Sequence, residues 1–360
     1  MKRVVLAAGA LLLSAPALAD PITIPTEICR GYFFIPVTLP ARDDRPEDRT
    51  LWFLYDTGAS SSYVDPDSIE RISGMRVETG NRARIRDASM GTLTVGMRPR
   101  VTELDHLSIA LGREIDGILA FDAFDNYLLT IDYGAMEMRL DTGELPRPDN
   151  NTVFSARGPD DRPWLRVMVG DRARRILIDS GAAGTAFAVR DLHRYDLENP
   201  ARPIGASVRF TRIEYRDGGR LADPVTFGPN RIENPLISEV PETELFGGEA
   251  MSHFVWTFDQ QNERVRIVPI TPGATMEIPS ERHHGMALRP VRDGLHVESI
   301  LPDSGAENAD IQAGDVITHI MGAPVRGRGC GMEGLENWTV TRVRDGEAAD
   351  IDIPLVTLVE

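Results

Sequence analysis

The sequence predicts a mostly β protein in which two similar lobes face each other across a pseudo-twofold cleft and a small α/β domain follows. Short runs of alternating apolar and polar residues, bounded by Gly, Pro, Asn or Asp, recur through both lobes, and such runs are typical of strands. The order of these segments repeats after about 120 residues, which indicates an internal duplication. We expect a leader over 1–19, lobes over 20–145 and 150–272, and the last domain over 276–360.

The N-terminal segment has the features of a secretory signal peptide. A basic start, Met1-Lys2-Arg3, precedes an apolar stretch and an Ala-x-Ala site, and we expect cleavage after Ala19. The apolar stretch is too short to span a bilayer comfortably. The sequence therefore predicts an exported protein, periplasmic or secreted, without a stable membrane anchor.

The composition excludes several functional classes. The chain has 55 Asp and Glu against 39 Lys and Arg, and its net charge of -16 argues against nucleic acid as a partner. Lys2 is the only lysine, so the mature chain has none for a Ser–Lys dyad or a Schiff base. No spacing of His and Cys matches a zinc motif, and we expect no metal and no cofactor. Cys29 and Cys330 are consistent with either a disulfide or two free thiols.

Two short segments, one in each predicted lobe, have nearly the same motif. An apolar run ends in Asp56-Thr57-Gly58 in the first lobe and in Asp179-Ser180-Gly181 in the second. A Gly-containing apolar segment follows at a comparable distance in each lobe, at 117–124 and at 245–251. A single copy would be an ordinary polar turn after a buried strand. Two copies in matching contexts indicate a pair of carboxyl groups that the fold brings together.

Paired carboxyl groups can activate water in a way that one carboxylate cannot. Two carboxyls within hydrogen-bond distance do not both ionise readily, so they share one proton. One member then acts as a base toward a water molecule while the other donates to the carbonyl oxygen of an amide. Because such a pair titrates as a unit, Asp56 and Asp179 receive no individual roles.

On these motifs, the segment from about residue 25 to 270 resembles the retropepsin-like aspartic proteases. The resemblance implies an endopeptidase that cleaves exported proteins or peptides and forms its catalytic pair within one, monomeric chain. It implies flap hairpins at 81–91 and 209–219, and Ala120 stands where the family usually has glycine. The residues that it implies are the catalytic pair Asp56 and Asp179 and the loop-supporting residues Thr57, Gly58, Ser180 and Gly181.

The C-terminal segment resembles a PDZ domain of the kind found in bacterial exported proteases. A strand at 294–300, a turn and short helix from residue 301, and Gly314-Asp315 before another strand carry this resemblance. It implies capture of a peptide strand and its terminal carboxylate. The implied binding residues are His284, Gly285, Met286, Ala287 and Leu288. Alternatively, the domain only packs against the protease body.

Two other interpretations of the whole chain remain open at this stage. In the first, the lobes are a decayed protease scaffold and the PDZ-like domain is a periplasmic peptide-binding module without turnover. Ala120 and the loose Gly247-Gly248-Glu249 segment are the features that favour it. In the second, each lobe pairs with its copy on another chain.

Overall fold

The structure is a computed structural model. It describes residues 20–41, 49–208, 213–240, 243–273, 275–278, 280, 282–330 and 336–359. The expected leader, 1–19, lies outside the described residues.

The prediction of a mostly β protein is confirmed, and strands dominate both predicted lobes. The first lobe, 20–145, also has helix α1 at Pro66–Ser73, helix α2 at Asp105–Leu111 and a 3-10 turn at Phe121–Phe124. Its strands are β1 Ile22–Ile24, β2 Glu27–Cys29, β3 Tyr32–Thr38, β4 Thr50–Asp56, β5 Tyr63–Val64, β6 Ile85–Met90, β7 Leu93–Met97, β8 Arg100–Val101, β9 Gly117–Ala120, β10 Leu128–Asp132 and β11 Glu137–Asp141.

The second lobe, 150–272, has a 3-10 turn at Leu192–Arg194 and the short helix α3 at Gly248–Met251. Its strands are β12 Val153–Ser155, β13 Trp164–Val169, β14 Arg172–Asp179, β15 Phe187–Val189, β16 Arg202–Val208, β17 Ile213–Arg220, β18 Val225–Phe227, β19 Asn230–Glu233, β20 Leu236–Glu239, β21 Leu245–Gly247, β22 Phe254–Asp259 and β23 Arg264–Pro269.

The two lobes repeat one strand topology. The first contains the order β3-β4-β9-β5-β8, and the second contains β13-β14-β21-β15-β20. The pairing senses also match, because β4 runs parallel to β9 as β14 runs parallel to β21. In each lobe the next strand along the chain then pairs antiparallel to that partner. The sequence repeat is therefore a repeat of structure.

A six-stranded sheet joins the lobes, with order β1-β11-β10-β22-β23-β12. The lobes meet where β10 and β22 pair antiparallel, and Thr130 lies opposite Thr257 there. The two buried hydroxyls are 3.0 Å apart. Aromatic side chains pack beneath this sheet, including Phe246, Trp256 and Phe258, and one continuous core spans both lobes. Burial of this shared apolar surface fixes the lobes relative to each other.

Both segments expected to form flaps lie in hairpins, at least in part. Segment 81–91 enters the hairpin of β6 and β7, where Ser89 pairs with Thr38 of β3. Gly91 at the tip packs against Pro25, so this hairpin belongs to the sheet of its own lobe. In the second lobe, β16 and β17 form a long hairpin, and its tip at 209–212 lies outside the described residues.

The C-terminal region forms a separate small sheet, with strands in the order β26 (Met286–Val291), β27 (Gly294–Ile300), β28 (Val316–Ile320), β30 (Asn337–Arg344) and β31 (Glu347–Pro354). Its 3-10 turn at Ala306–Asn308 stands where the sequence predicts a short helix. The remaining strands of the chain are β24 Met276–Glu277, β25 Arg282–His283, β29 Ala323–Pro324 and β32 Val356–Thr357.

Helix α2 of the first lobe completes the core of this C-terminal region. Ile109 is 2% exposed and belongs to the same apolar cluster as Met286 and Val297. Arg328 donates to the carbonyls of Ile109 and Ala110 at 2.9 and 2.5 Å, which satisfies the C-terminal end of the helix. Within the described residues, the helix that covers this sheet therefore comes from another part of the chain.

A disulfide joins the first lobe to the C-terminal region. Cys29 and Cys330 are bonded, with their Cα atoms 5.1 Å apart. The sequence left this pairing open. An oxidising compartment permits such a bond, so it is compatible with an exported protein.

Replacement of Ile109 by alanine is expected to destabilise the C-terminal sheet although the residue lies in the first lobe. The lost methyl and methylene groups leave a cavity, and we expect a cost of roughly 2–4 kcal/mol. Hydrogen exchange should accelerate in β27 and β28. Ile72→Ala, a fully buried site in α1, is the control and should affect the first lobe. Faster exchange confined to the first lobe in both variants would show that α2 does not support the C-terminal sheet.

Candidate active site

The two Asp-hydroxyl-Gly motifs lie at the ends of corresponding central strands. Strand β4 ends at Asp56, which pairs in register with Ala120 of β9. Strand β14 ends at Asp179, which pairs with Gly247 of β21. Each chain reverses directly after its Asp, because Ala59 N–H donates to the Asp56 carbonyl and Ala182 N–H to the Asp179 carbonyl. The repeated topology thus gives both aspartates equivalent positions.

The structure brings the two carboxyl groups together. The side chains of Asp56 and Asp179 share a hydrogen bond. A Cβ atom built on Gly58 would lie 2.4 Å from Cγ of Asp179, and one built on Gly181 would lie 2.4 Å from Cγ of Asp56. Each loop therefore approaches the opposite aspartate so closely that a side chain larger than hydrogen does not fit.

Thr57 and Ser180 lock the two loops to each other through four hydrogen bonds across the lobe interface. The Thr57 hydroxyl donates to the Ile178 carbonyl (2.8 Å) and accepts from the Ser180 N–H (2.9 Å). The Ser180 hydroxyl donates to the Tyr55 carbonyl (3.1 Å) and accepts from the Thr57 N–H (3.0 Å). Both side chains are buried. Because each hydroxyl satisfies a buried donor and a buried acceptor, the network holds the carboxyl pair in one geometry.

The environment of Asp56 favours the protonated form. Burial is the largest effect and raises the pKa of this carboxyl, although several hydrogen bonds oppose it. The N–H groups of Gly58 and Ala59 donate to Asp56 Oδ1 at 2.8 and 3.1 Å. The hydrogen bond with Asp179 and the charge of Arg162 also lower the pKa, yet the net shift is upward. The site therefore retains a proton at a higher pH than an isolated aspartate would.

Four residues near the carboxyl pair were not singled out from the sequence. Arg162 donates to the Gly58 carbonyl at 2.8 Å and is itself held by Asp160. Arg30 and Gly31 form the β2–β3 turn with φ values of 51° and 80°, and Gly31 lies against Ala183 in the loop that follows Asp179. Burial raises the pKa of the next residue, Tyr32, and both aspartates contribute to that shift. The sequence signal for this turn was an Arg-Gly pair between two short β-prone runs.

The alanine at position 120, where the resemblance predicts glycine, fits the first lobe. Ala120 is fully buried, and its N–H donates to the Ser62 hydroxyl at 3.0 Å. The corresponding residue of the second lobe, Gly247, is more constrained, since a Cβ there would lie 2.2 Å from the Thr185 carbonyl oxygen. A methyl group is therefore accommodated in one lobe and excluded in the other.

The predicted peptide-binding segment lies at the start of strand β26. Met286 and Ala287 are buried, and Leu288 is half-buried. The N–H of Gly285 donates to His283 Nδ1 at 2.8 Å, and that of Met286 donates to His284 Nδ1 at 2.9 Å. These are the amides that would hold a terminal carboxylate. Capture of a peptide terminus here would require the two imidazoles to move.

Comparison with known proteins gives no match, either to a family model or to a curated protein. Within the described ranges, no group of three or more His, Cys, Asp or Glu side chains is placed to hold a metal ion. None of the helices in the described part of the chain is long and apolar enough to cross a membrane.

Proposed function

We propose that this chain is an aspartic endopeptidase of exported proteins, with two retropepsin-like lobes in one chain and a PDZ-like C-terminal domain. The observation that carries the proposal is the hydrogen-bonded pair Asp56 and Asp179, held by reciprocal Thr57 and Ser180 contacts. A pair of polar turns without a joint role would not need each loop glycine to lie against the opposite carboxyl. The shared core and the β10–β22 pairing support assembly of the site within one chain.

The geometry supports hydrolysis without a covalent intermediate. With one proton between them, the ionised carboxyl accepts a proton from water as its oxygen attacks the peptide carbonyl carbon. The protonated carboxyl donates to the carbonyl oxygen, which gives a tetrahedral gem-diol. Return of a diol proton to the pair and donation of a proton to the amide nitrogen then break the C–N bond. The pair ends with the single shared proton with which it began.

The C-terminal domain is proposed to orient protein substrates, since it contacts both lobes. It reaches the first lobe through the Cys29–Cys330 disulfide and Ile109. It reaches the second through Arg202 of β16, which pairs with Asp303 at 2.8 Å. His283 and His284 accept hydrogen bonds from the amides expected to bind a peptide terminus. The role proposed for this domain therefore rests on its contacts with both lobes.

The test is cleavage of a diverse peptide library by the purified mature protein between pH 4 and 7. The proposal expects internal cleavage that is fastest at the acidic end, because the carboxyl pair must keep one proton. Mass spectrometry of the products distinguishes internal cleavage from removal of terminal residues. Intact peptides across the whole range would favour the alternative, a binding module on an inactive scaffold.

A further inference from the structure

A cavity lies beside the second catalytic loop, between that loop, the β16–β17 hairpin and the C-terminal region. Its cavity volume is about 30 Å³, and the empty space including its open mouth is about 470 Å³. The loop after Asp179, the hairpin and the C-terminal residues Leu358 and Val359 all contribute walls. Residues that line it include Thr185, Ile204, Arg216, Ser238, His283 and Leu358.

The cavity is directly connected to the loop that holds Asp179. Thr185 ends the tight turn after that aspartate, since its N–H donates to the Ala182 carbonyl at 3.1 Å. Arg216 of the hairpin donates to the Thr185 hydroxyl at 3.3 Å. The charge of Arg216 lowers the pKa of Tyr32, whereas the charges of both aspartates raise it. The cavity therefore adjoins the turn that follows Asp179.

The cavity combines apolar walls with hydrogen-bond donors. Ile204, Phe187 and Leu358 contribute the apolar surface. The Ser238 hydroxyl is buried, with the residue 4% exposed, and it has no hydrogen-bond partner in the described part of the chain. His283 Nδ1 accepts from Gly285 N–H, so the proton of the neutral ring lies on Nε2. A buried hydroxyl without a partner is costly, and a ligand acceptor would remove that cost.

We propose that this cavity is the side-chain pocket that selects substrates, and that it prefers glutamine or glutamate next to the scissile bond. The inference rests on the proposed function and deepens it. Both side chains have an aliphatic stem for the apolar walls and a terminal oxygen that accepts from Ser238, His283 or Arg216. A cationic residue, Arg216, and an acidic residue, Glu249, both line the cavity. The feature that the pocket recognises in both substrates is therefore the acceptor oxygen. Comparison of Glu and Gln peptides in the library distinguishes the charged side chain from the neutral one. His283 and Leu358 make the C-terminal region part of substrate selection.

The test compares cleavage of peptides that carry Gln, Glu, Leu, Met or Lys at each position around the cleaved bond. The wild type is expected to prefer Gln or Glu at one position by about tenfold over Leu. Ser238→Ala should reduce that preference about fivefold while the Leu peptide is still cleaved, because one hydrogen bond is lost. Leu358→Trp should fill the cavity and shift the preference at that position to small residues. Thr357→Trp, at an exposed position on the same segment and outside the lining, is the matched control and should keep the wild-type preference.

Equilibrium binding of the same peptides to the Asp179→Asn variant measures the side-chain preference of the pocket without turnover. If the wild type cleaves nothing while binding retains the Gln or Glu preference and its loss in Ser238→Ala/Asp179→Asn, then the proposed function fails and the pocket stands. If cleavage and binding both ignore the residue at every position, or if Ser238→Ala and Leu358→Trp leave an existing preference unchanged, the pocket assignment is overturned.

Discussion

Replacement of either Asp56 or Asp179 by asparagine is expected to lower kcat for peptide cleavage by at least about 1,000-fold. General acid–base catalysis by one group contributes roughly 10²–10⁴-fold, and the amide can neither take the water proton nor share one with its partner. The remaining aspartate then ionises as a single carboxyl. The measurement is steady-state cleavage of the best peptide from the library, with each variant purified as the wild type is.

Stability gives the Asp56→Asn variant a second, independent readout. Because Asp56 has a raised pKa in the folded state, the native protein keeps a proton that the unfolded chain releases. Its contribution to stability is present at pH values below the unfolded pKa and is lost as pH rises through the folded value. Asparagine does not ionise, so Asp56→Asn avoids the cost of a buried carboxylate and should be as stable as the wild type or slightly more stable at pH 7. The difference should shrink toward pH 4.

Asp132→Asn is the matched control for both aspartates. Asp132 also ends a strand, and its Oδ1 accepts the N–H groups of Gly134 and Ala135 at 3.0 and 2.9 Å. The local turn is thus the same. Within the described residues, however, the hydrogen bonds of the Asp132 side chain involve no second carboxyl group. This variant should cleave at the wild-type rate. Equal loss of activity in Asp132→Asn would show that the effect is structural.

A mixing experiment addresses assembly between chains. If each lobe paired with its copy on another molecule, a mixture of Asp56→Asn and Asp179→Asn would regain a fraction of sites with both carboxyls. The β10–β22 pairing and the continuous core place both aspartates in one molecule. The mixture should therefore remain inactive. Recovered cleavage would contradict an intramolecular pair.

Replacement of Gly58 or Gly181 by alanine is expected to abolish cleavage and also to destabilise the lobes. The added methyl carbon would lie 2.4 Å from the opposite carboxyl carbon, well inside contact distance. The loop must then move, which strains the four hydrogen bonds of Thr57 and Ser180 that fix it. We expect a loss of roughly 2–4 kcal/mol in the free energy of unfolding, measured by urea denaturation.

Gly96→Ala is the control for these glycines. Gly96 lies in the exposed part of β7, and the nearest atom to an added Cβ is 3.8 Å away. The variant should unfold and cleave as the wild type does. Full activity in Gly58→Ala or Gly181→Ala would mean that the loops lie farther apart than the structure shows.

Much of the fold follows from local sequence. Alternating runs such as 51–55 predict strands, and the repeated Asp-hydroxyl-Gly motifs predict two equivalent turns. The duplication explains why these turns meet, because two copies of one topology pack about a common axis at β10 and β22. The reciprocal hydroxyl contacts of Thr57 and Ser180 follow from the same symmetry. The pattern was informative here because it was present twice.

Other features depend on contacts between distant segments. Ile109 has the spacing of an ordinary amphipathic helix residue, and nothing in its neighbourhood indicates that it completes a sheet made from residues after 286. The Cys29–Cys330 bond spans a separation of 301 residues, so sequence spacing gives no geometric constraint on it. Arg162 and Arg30 reach the site from loops whose course is set by packing. The segment 81–91 does lie in a hairpin, but its pairing with β3 through Ser89 and Thr38 also depends on a distant segment.

The most direct test of the central claim is the pH dependence of kcat/KM for one library peptide, measured for the wild type. If the carboxyls of Asp56 and Asp179 activate water together, the rate should follow a bell with two apparent pKa values that belong to the pair, and should fall toward neutral pH. Neither Asp56→Asn nor Asp179→Asn should show that bell. A wild-type rate that is constant from pH 4 to 7, or an asparagine variant that keeps the wild-type profile, would contradict the account.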